Sequence, residues 1–246
     1  MALWAADFWQ TKPFTDWDAK EIQKILTDSP WARKVFVPLP GGGPGGPQSL
    51  GGGGGGGRGG GVRGGPQGPN ADPGIAGGGG IAESSGRGGF GAGGGGAESN
   101  PAFTPALALL VICQSALPVK QAAVKAKFGA EAATAPDAKV FLERQEMSYV
   151  FSVSGLPGYV QPRDNEAKGM LLKQTSLTAK GKEPVTATDV QFQTNGKNVD
   201  AYFVFPRTNP FTVADKEVEF VTKAGFIAVK QKFNLKNMVV NGKLEM

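Results

Sequence analysis

The chain of 246 residues contains no histidine and a single cysteine, Cys113. Without histidine, a Ser-His-Asp arrangement and imidazole-ligated metal sites are excluded. One cysteine cannot close an internal disulfide. Cys113 lies in the apolar run "LALLVICQ", where a thiol acts as a small buried hydrophobe and has no activating partner. Apolar runs fall well short of the ~20 residues that span a bilayer as a helix, and "MALWAA" before Asp7 is too short for a complete signal peptide. Charge of one sign is also scarce. The net value is +5, and the whole excess falls in residues 101–246, with 18 basic against 13 acidic groups. A spread of lysines reads first as a solvated surface.

Glycine is what the chain has in abundance. Of its 39 glycines, 31 fall within residues 41–100. Backbone entropy is greatest there and few apolar side chains offset it, so no core is expected in that stretch. Its three arginines, Arg58, Arg63 and Arg87, are matched by Asp72, Glu83 and Glu98. Arginine spaced by glycine can stack on bases, with Phe90 as a further ring. Phosphate-driven binding needs uncompensated positive charge, so a spacer is expected here and nucleic-acid binding is not. "GRGGFG" at Gly86–Gly91 matches a dinucleotide fingerprint only in letters, because neither a strand nor a helix flanks it.

On either side the pattern is that of a folded domain. "TDWDAKEIQKILTDSPWARKVFV" reads as helix, turn and strand, with Asp18 and Glu21 in a capping box and Trp17 and Ile22 at hydrophobic-staple positions. Pro30 stops the helix. Trp9, Trp17 and Trp31 suit either a ligand-stacking platform or a clamp, and the apolar stripe Ile22, Ile25 and Leu26 favours the clamp. "PALALLVICQ" reads as a buried strand and "LPVKQAAVKAKFG" as a helix. "MSYVFSVSG" alternates Tyr149, Phe151 and Val153 against Ser148, Ser152 and Ser154. "RDNEAKGMLLKQ" is a third helix, interrupted by Gly169. Hairpins are expected around Asn195-Gly196, Ala224-Gly225 and Asn241-Gly242. The last long strand sets Ile227, Val229, Phe233 and Leu235 against Lys230, Lys232 and Asn234.

The expected fold class is α+β, a mainly antiparallel sheet of about eight strands with about three helices, interrupted by a disordered glycine-rich loop. Residues 7–40 supply the N-terminal helix and strand of the main domain, 41–100 the insert, and 101–246 the remainder. Closing such an insert costs only about 2.4 kcal/mol more than a tight turn.

Three candidate chemistries lack the partners they need. Glu143 and Glu146 share a face only if that stretch is helical, and no second carboxylate cluster joins them. Ser154 in "SVSGLPG" lacks the leading glycine of a nucleophile elbow. Cys113 has no base. No catalytic, cofactor-binding or metal-binding residue is therefore expected, and no cofactor.

The phrases "KPFTDWDAKEIQKILTDSPWARKV", "QSALPVKQA", "YVFSVSGLPG", "DVQFQTNGKNVDAYFVFPRT" and "DKEVEFVTKAGFIAVKQKFNLKNMVVNGKLEM" together resemble an uncharacterised family of exported acidobacterial proteins, most specifically at "LTDSPWA", Leu26–Ala32. The resemblance implies a signal peptide in relatives, a glycine-rich insert at this point, and a periplasmic or extracellular place. This chain departs from it with only "MALWAA" before Asp7, which points to a truncated or misplaced start or to a member kept inside the cell. The resulting expectation is a non-enzymatic exported structural or interaction module of the cell envelope, with an envelope protein or polysaccharide as partner. A second reading is a binder of an anionic partner, nucleic acid or polysaccharide, through a basic face or the Arg/Gly loop. A third is an enzyme of a type the sequence does not mark.

Overall fold

The computed structural model describes residues 7–39 and 106–246, which belong to one compact unit. The glycine-rich stretch, with Arg58, Arg63, Arg87 and "GRGGFG", lies outside the described residues. All strand pairings among the described residues are antiparallel.

The chain enters through a single turn, α1 (Phe8–Thr11), and then α2 (Ala19–Thr27). The Asp18 carboxylate accepts from the Glu21 amide at 2.8 Å, and Glu21 accepts from the Asp18 amide at 2.8 Å, so the expected capping box forms. Lys12 bonds the same Glu21 at 2.7 Å and holds its carboxyl below the usual range. After α2, Ser29 turns the chain by donating from its hydroxyl to Ile25 O at 2.7 Å and accepting the Trp31 amide at 3.3 Å. Thr27 donates to Gln23 O at 2.8 Å. The "LTDSPWA" stretch is thus a helix stop that delivers Trp31 into the core.

Two sheets follow. The larger contains β1 (Ala32–Pro38), β2 (Ala106–Cys113), β3 (Ser148–Pro157), β6 (Asp189–Asn195) and β7 (Asn198–Pro206), in the order β1-β2-β3-β7-β6. The smaller contains β4 (Ser176–Ala179), β5 (Val185–Thr186), β8 (Glu217–Ala224) and β9 (Ile227–Asn234), in the order β5-β4-β8-β9. A separate pair joins β10 (Val239–Val240) to β11 (Lys243–Leu244).

The two larger sheets meet through phenylalanine. Phe151 on β3 stacks on Phe220 of β8 with ring centroids 5.6 Å apart and meets Phe233 of β9 at 5.3 Å. Phe203 and Phe205 on β7 also reach Phe220. Alternating burial along β7, β8 and β9 makes this possible, since every second side chain faces the partner sheet. The expected split on β9 holds, with Ile227, Val229 and Phe233 buried and Lys230, Lys232 and Asn234 exposed.

The count of helices is corrected. Beside α2 stand α3 (Leu117–Phe128), α4 (Pro136–Glu143) and α5 (Asn165–Lys173), which with α1 makes five among the described residues. The two missed are α1, a single turn, and α4, whose N-cap Ala135 offers no capping side chain. The strands number eleven among the described residues against about eight expected; β4 and the two-residue β5 have no counterpart in the sequence reading, and the strands of the two larger sheets form two facing layers.

Two hairpin turns are shifted by one residue. Asn195 pairs with Asn198 and Ala224 with Ile227, so the turns are Gly196-Lys197 and Gly225-Phe226. In each, the glycine leads with φ 63° and the second residue stays out of the positive region, the pattern of a II′ turn. Asn241-Gly242 turns as expected, with both φ values positive. On β3, Gly155 at φ 88° forms a bulge between Val153 and Leu156. A Cβ there would meet Ala108 O at 3.3 Å.

The N-terminal aromatics clamp. Trp9, Trp17 and Trp31 are all buried, Trp9 and Trp31 pack edge to face at 5.7 Å, and the Trp31 indole donates to Glu245 O at 2.8 Å. A platform open to ligand is thereby set aside. Trp31→Ala is expected to lower unfolding free energy by ~3–5 kcal/mol, and Trp31→Phe by less, in urea denaturation. Unchanged stability in Trp31→Ala would contradict the clamp.

Pro38 and Ala106 are ladder partners. Replacing residues 42–100 by a short Gly-Ser linker, which shortens the connection about fivefold, is therefore expected to preserve cooperative unfolding and to raise stability by ~1.4 kcal/mol at ~0.6 per doubling of length. Loss of the cooperative transition would show that the core needs the segment.

Candidate functional site

β3 and β8 end close together. β3 runs into a 3-10 turn, Gly158–Val160, which presents Tyr159, while the β8–β9 turn presents Phe226. The two rings lie 5.7 Å apart at a 32° tilt, yet Tyr159 is 60% and Phe226 49% exposed. Single exposed hydrophobes are ordinary. A pair held ring to ring in solvent, with Met170 of α5 53% exposed beside it, is an apolar patch with a defined shape.

Tyr159 and Met170 also line a cleft of about 580 Å³ together with Gln161, Arg163, Gln174 and Lys223. The cleft's carboxylate, Asp164, is committed to α5, where it accepts from the Ala167 amide at 2.8 Å. Neither Arg163 nor Lys223 joins an ion pair among the described residues. Phe226, which is not in the lining, packs against Tyr159, and the cleft combines the Tyr159 face, two primary amides and two cations outside any ion pair. It can stack flat apolar faces, exchange hydrogen bonds with hydroxyls and pair with isolated negative charges.

The same end of the larger sheet carries the attachment of the undescribed segment. Pro38 faces Ala106 across β1–β2, and a Cβ built on Gly155, three residues before Gly158, would lie 3.3 Å from Ala108 O. The Gly196-Lys197 turn is there too, with Lys197 O 3.7 Å from a Cβ built on Gly158.

The residues singled out from sequence do not assemble into this cleft. α4 stops at Glu143, so Glu143 and Glu146 share no helical face, and Glu146 instead pairs with Lys120 at 2.9 Å. Ser154 is half-buried opposite Leu110. The basic face of β9 is neutralised diagonally, Lys232 to Glu217 at 2.7 Å and Lys230 to Glu219 at 3.1 Å. No group of three or more candidate metal ligands occurs among the described residues, and no helix there is long and apolar enough to cross a membrane. Tyr159 and Phe226 escaped sequence reading because they stand far apart in the chain. The available signal was an aromatic directly after a hairpin glycine, where a polar residue is usual.

Comparison with known protein families, curated proteins and solved structures gives no match.

Cys113 is fully buried, with Sγ 3.7 Å from Ser115 Oγ. Burial pushes its thiol from the ordinary 9.0 up to about 12. The raised value means that the folded chain keeps the proton while the unfolded chain has lost it. Stability is therefore expected to fall as pH rises from ~9 toward ~12, by up to ~1.4 kcal/mol per pH unit. Denaturation of the native chain and Cys113→Ala across that window checks this, the variant being expected to show the shallower decline. Equal slopes would contradict it.

Proposed function

We propose that this protein is a non-enzymatic binding module of the cell envelope, exported as the family resemblance implies, and that it holds an acidic polysaccharide in the cleft lined by Tyr159, with Phe226 packed against that ring as a second stacking face. The observation that carries the reading is the solvent-exposed ring pair beside unpaired Arg163 and Lys223. Sugar rings offer flat C–H faces to aromatic side chains and hydroxyls to Gln161 and Gln174. Uronic acid carboxylates are discrete charges that two separated cations can meet. A phosphate backbone draws on several uncompensated cations at once, and with Asp164 in the wall this cleft has a surplus of one. The diagonal ion pairs on β8–β9 also favour the cleft over the basic sheet face as the binding surface.

Affinity electrophoresis through gels containing alginate or neutral dextran tests the reading. The native chain is expected to be retarded by alginate and not by dextran. Tyr159→Ala and Phe226→Ala should each weaken retardation up to ~10-fold, as loss of one aromatic contact worth ~0.5–1.5 kcal/mol predicts, with unfolding midpoints unchanged. No retardation of the native chain would overturn the assignment. So would tight binding of single-stranded RNA near physiological salt that the two variants lose.

A further inference from the structure

The fold sorts the chain's thioether sulfurs sharply by access to solvent. The sequence has five methionines, of which Met147, Met170, Met238 and Met246 lie among the described residues. Met238 is fully buried and Met246 is 4% exposed, whereas Met170 is 53% and Met147 77% exposed. The thiol and indole groups among the described residues, those of Cys113, Trp9, Trp17 and Trp31, are all buried.

Met170 differs from Met147 in where it stands. It lies on α5 in the wall of the Tyr159 cleft, which Met147 does not line. The residue before it, Gly169, carries no side chain, and a Cβ there would meet nothing within 4 Å, so the approach to the thioether is open from that side. Met147 instead precedes β3, whose other end leads to Tyr159.

We infer that Met170 is an oxidative modification site and that its sulfoxide weakens the hold of the cleft on an acidic polysaccharide, the second half resting on the function proposed above. The oxidant is a peroxide. The sulfur lone pair attacks one peroxide oxygen, and an S–O bond forms as the O–O bond breaks. The departing hydroxide takes the proton of the transferred oxygen and leaves as water. Sulfur is oxidised and the peroxide reduced, with no further reactant. A flexible apolar side chain thereby becomes a polar one. Its new oxygen accepts hydrogen bonds and has no proton to donate. The donors in the same wall are Gln161, Gln174, Arg163 and Lys223, the groups on which a uronate chain depends. The sulfoxide oxygen competes with the ligand's carboxylates and hydroxyls for those donors, and the negative end of its dipole repels the carboxylates. Both effects oppose binding. Sulfoxide reductases reverse the modification, so the cleft has two interconvertible states.

The test treats the full chain with hydrogen peroxide under native conditions and follows each methionine by peptide mass mapping. Met170 and Met147 are expected to oxidise at least about tenfold faster than Met238 and Met246, which react only when the fold opens. Retardation by alginate gels should weaken about two- to tenfold as Met170 sulfoxide accumulates, the range for one wall interaction lost, with the unfolding midpoint unchanged. Methionine sulfoxide reductases should restore it. Peroxide should leave the retardation of Met170→Leu where it stood and should still weaken that of Met147→Leu. Met170 left unoxidised while Met147 reacts would overturn the site. Retardation equal before and after full oxidation of Met170, or a loss that persists in Met170→Leu, would overturn the switch and leave the polysaccharide reading in place. An untreated chain that alginate does not retard overturns that reading and the switch with it. Oxidation and repair of the native chain decide the matter even if a variant does not fold.

Discussion

The pairing of β1 with β2 is the constraint on which the rest of the structure depends. These two strands come from opposite sides of residues 41–100, yet they run in register from Ala32↔Ile112 to Pro38↔Ala106. The ladder is extended at its closed end by the Cys113 amide, which donates to Trp31 O at 2.8 Å. With β1 docked, Trp31 is carried inside and the short N-terminal helices gain a surface to cover. Helices of four and nine residues are marginal alone, so α1 and α2 persist because Trp9, Trp17 and Ile25 share the core with β2 and β3. The "LTDSPWA" phrase is therefore an architectural joint. Its hydroxyls satisfy helix-end carbonyls, and its tryptophan bonds the backbone of Glu245 from the far end of the chain.

From that joint, β3 runs toward Tyr159 and the cleft. β3 has ten residues, which at ~3.3 Å each spans ~30 Å. Its first residues follow Glu146, and its last leads into Tyr159. β7 runs the other way, from the turn beside Gly158 to Arg207. The bulge at Gly155 matters to this layout. It adds one residue to β3 against β7, with the Gly155 amide donating to Asp200 Oδ1 at 3.2 Å. Bulges bend and twist the strand that bears them, so this one helps set the direction in which Tyr159 leaves the sheet toward Phe226.

What could be read in the sequence was what depends on neighbours a few residues away. The Asp18–Glu21 capping box, Pro118 in the first turn of α3, and the Asn241-Gly242 turn each rest on local geometry. Their residues do in the fold what they imply in the sequence. The one-residue slip at Gly196 and Gly225 has a definite cause. A glycine with positive φ fits either the first place of a II′ turn or the second of a I′ turn, and only cross-strand register decides. Helix α4 was hidden because its cap is an alanine. The two-layer arrangement was hidden because Phe151, Phe220 and Phe233 meet only across sheets. The cleft shares that difficulty, since Tyr159 and Phe226 are brought together by tertiary structure and neither belongs to a motif.

Net charge is a poor guide to where this protein can bind, and the ion pairs explain why. Lys12, Lys120, Lys168, Lys182, Lys230, Lys232 and Lys243 each sit within 3.2 Å of a carboxylate. Exposed pairs of this kind contribute little stability, with a median near 0–1 kcal/mol. Their larger effect is to shorten the reach of the positive field, since a paired cation presents a dipole to an approaching ligand and screening by salt removes most of the remainder. A charge excess spread in this way attracts polyanions only diffusely. Selective recognition must then come from places where an unpaired cation adjoins a surface that fixes geometry. Arg163 and Lys223 beside the Tyr159 ring meet that condition, where the aromatic face supplies shape and the cations supply sign.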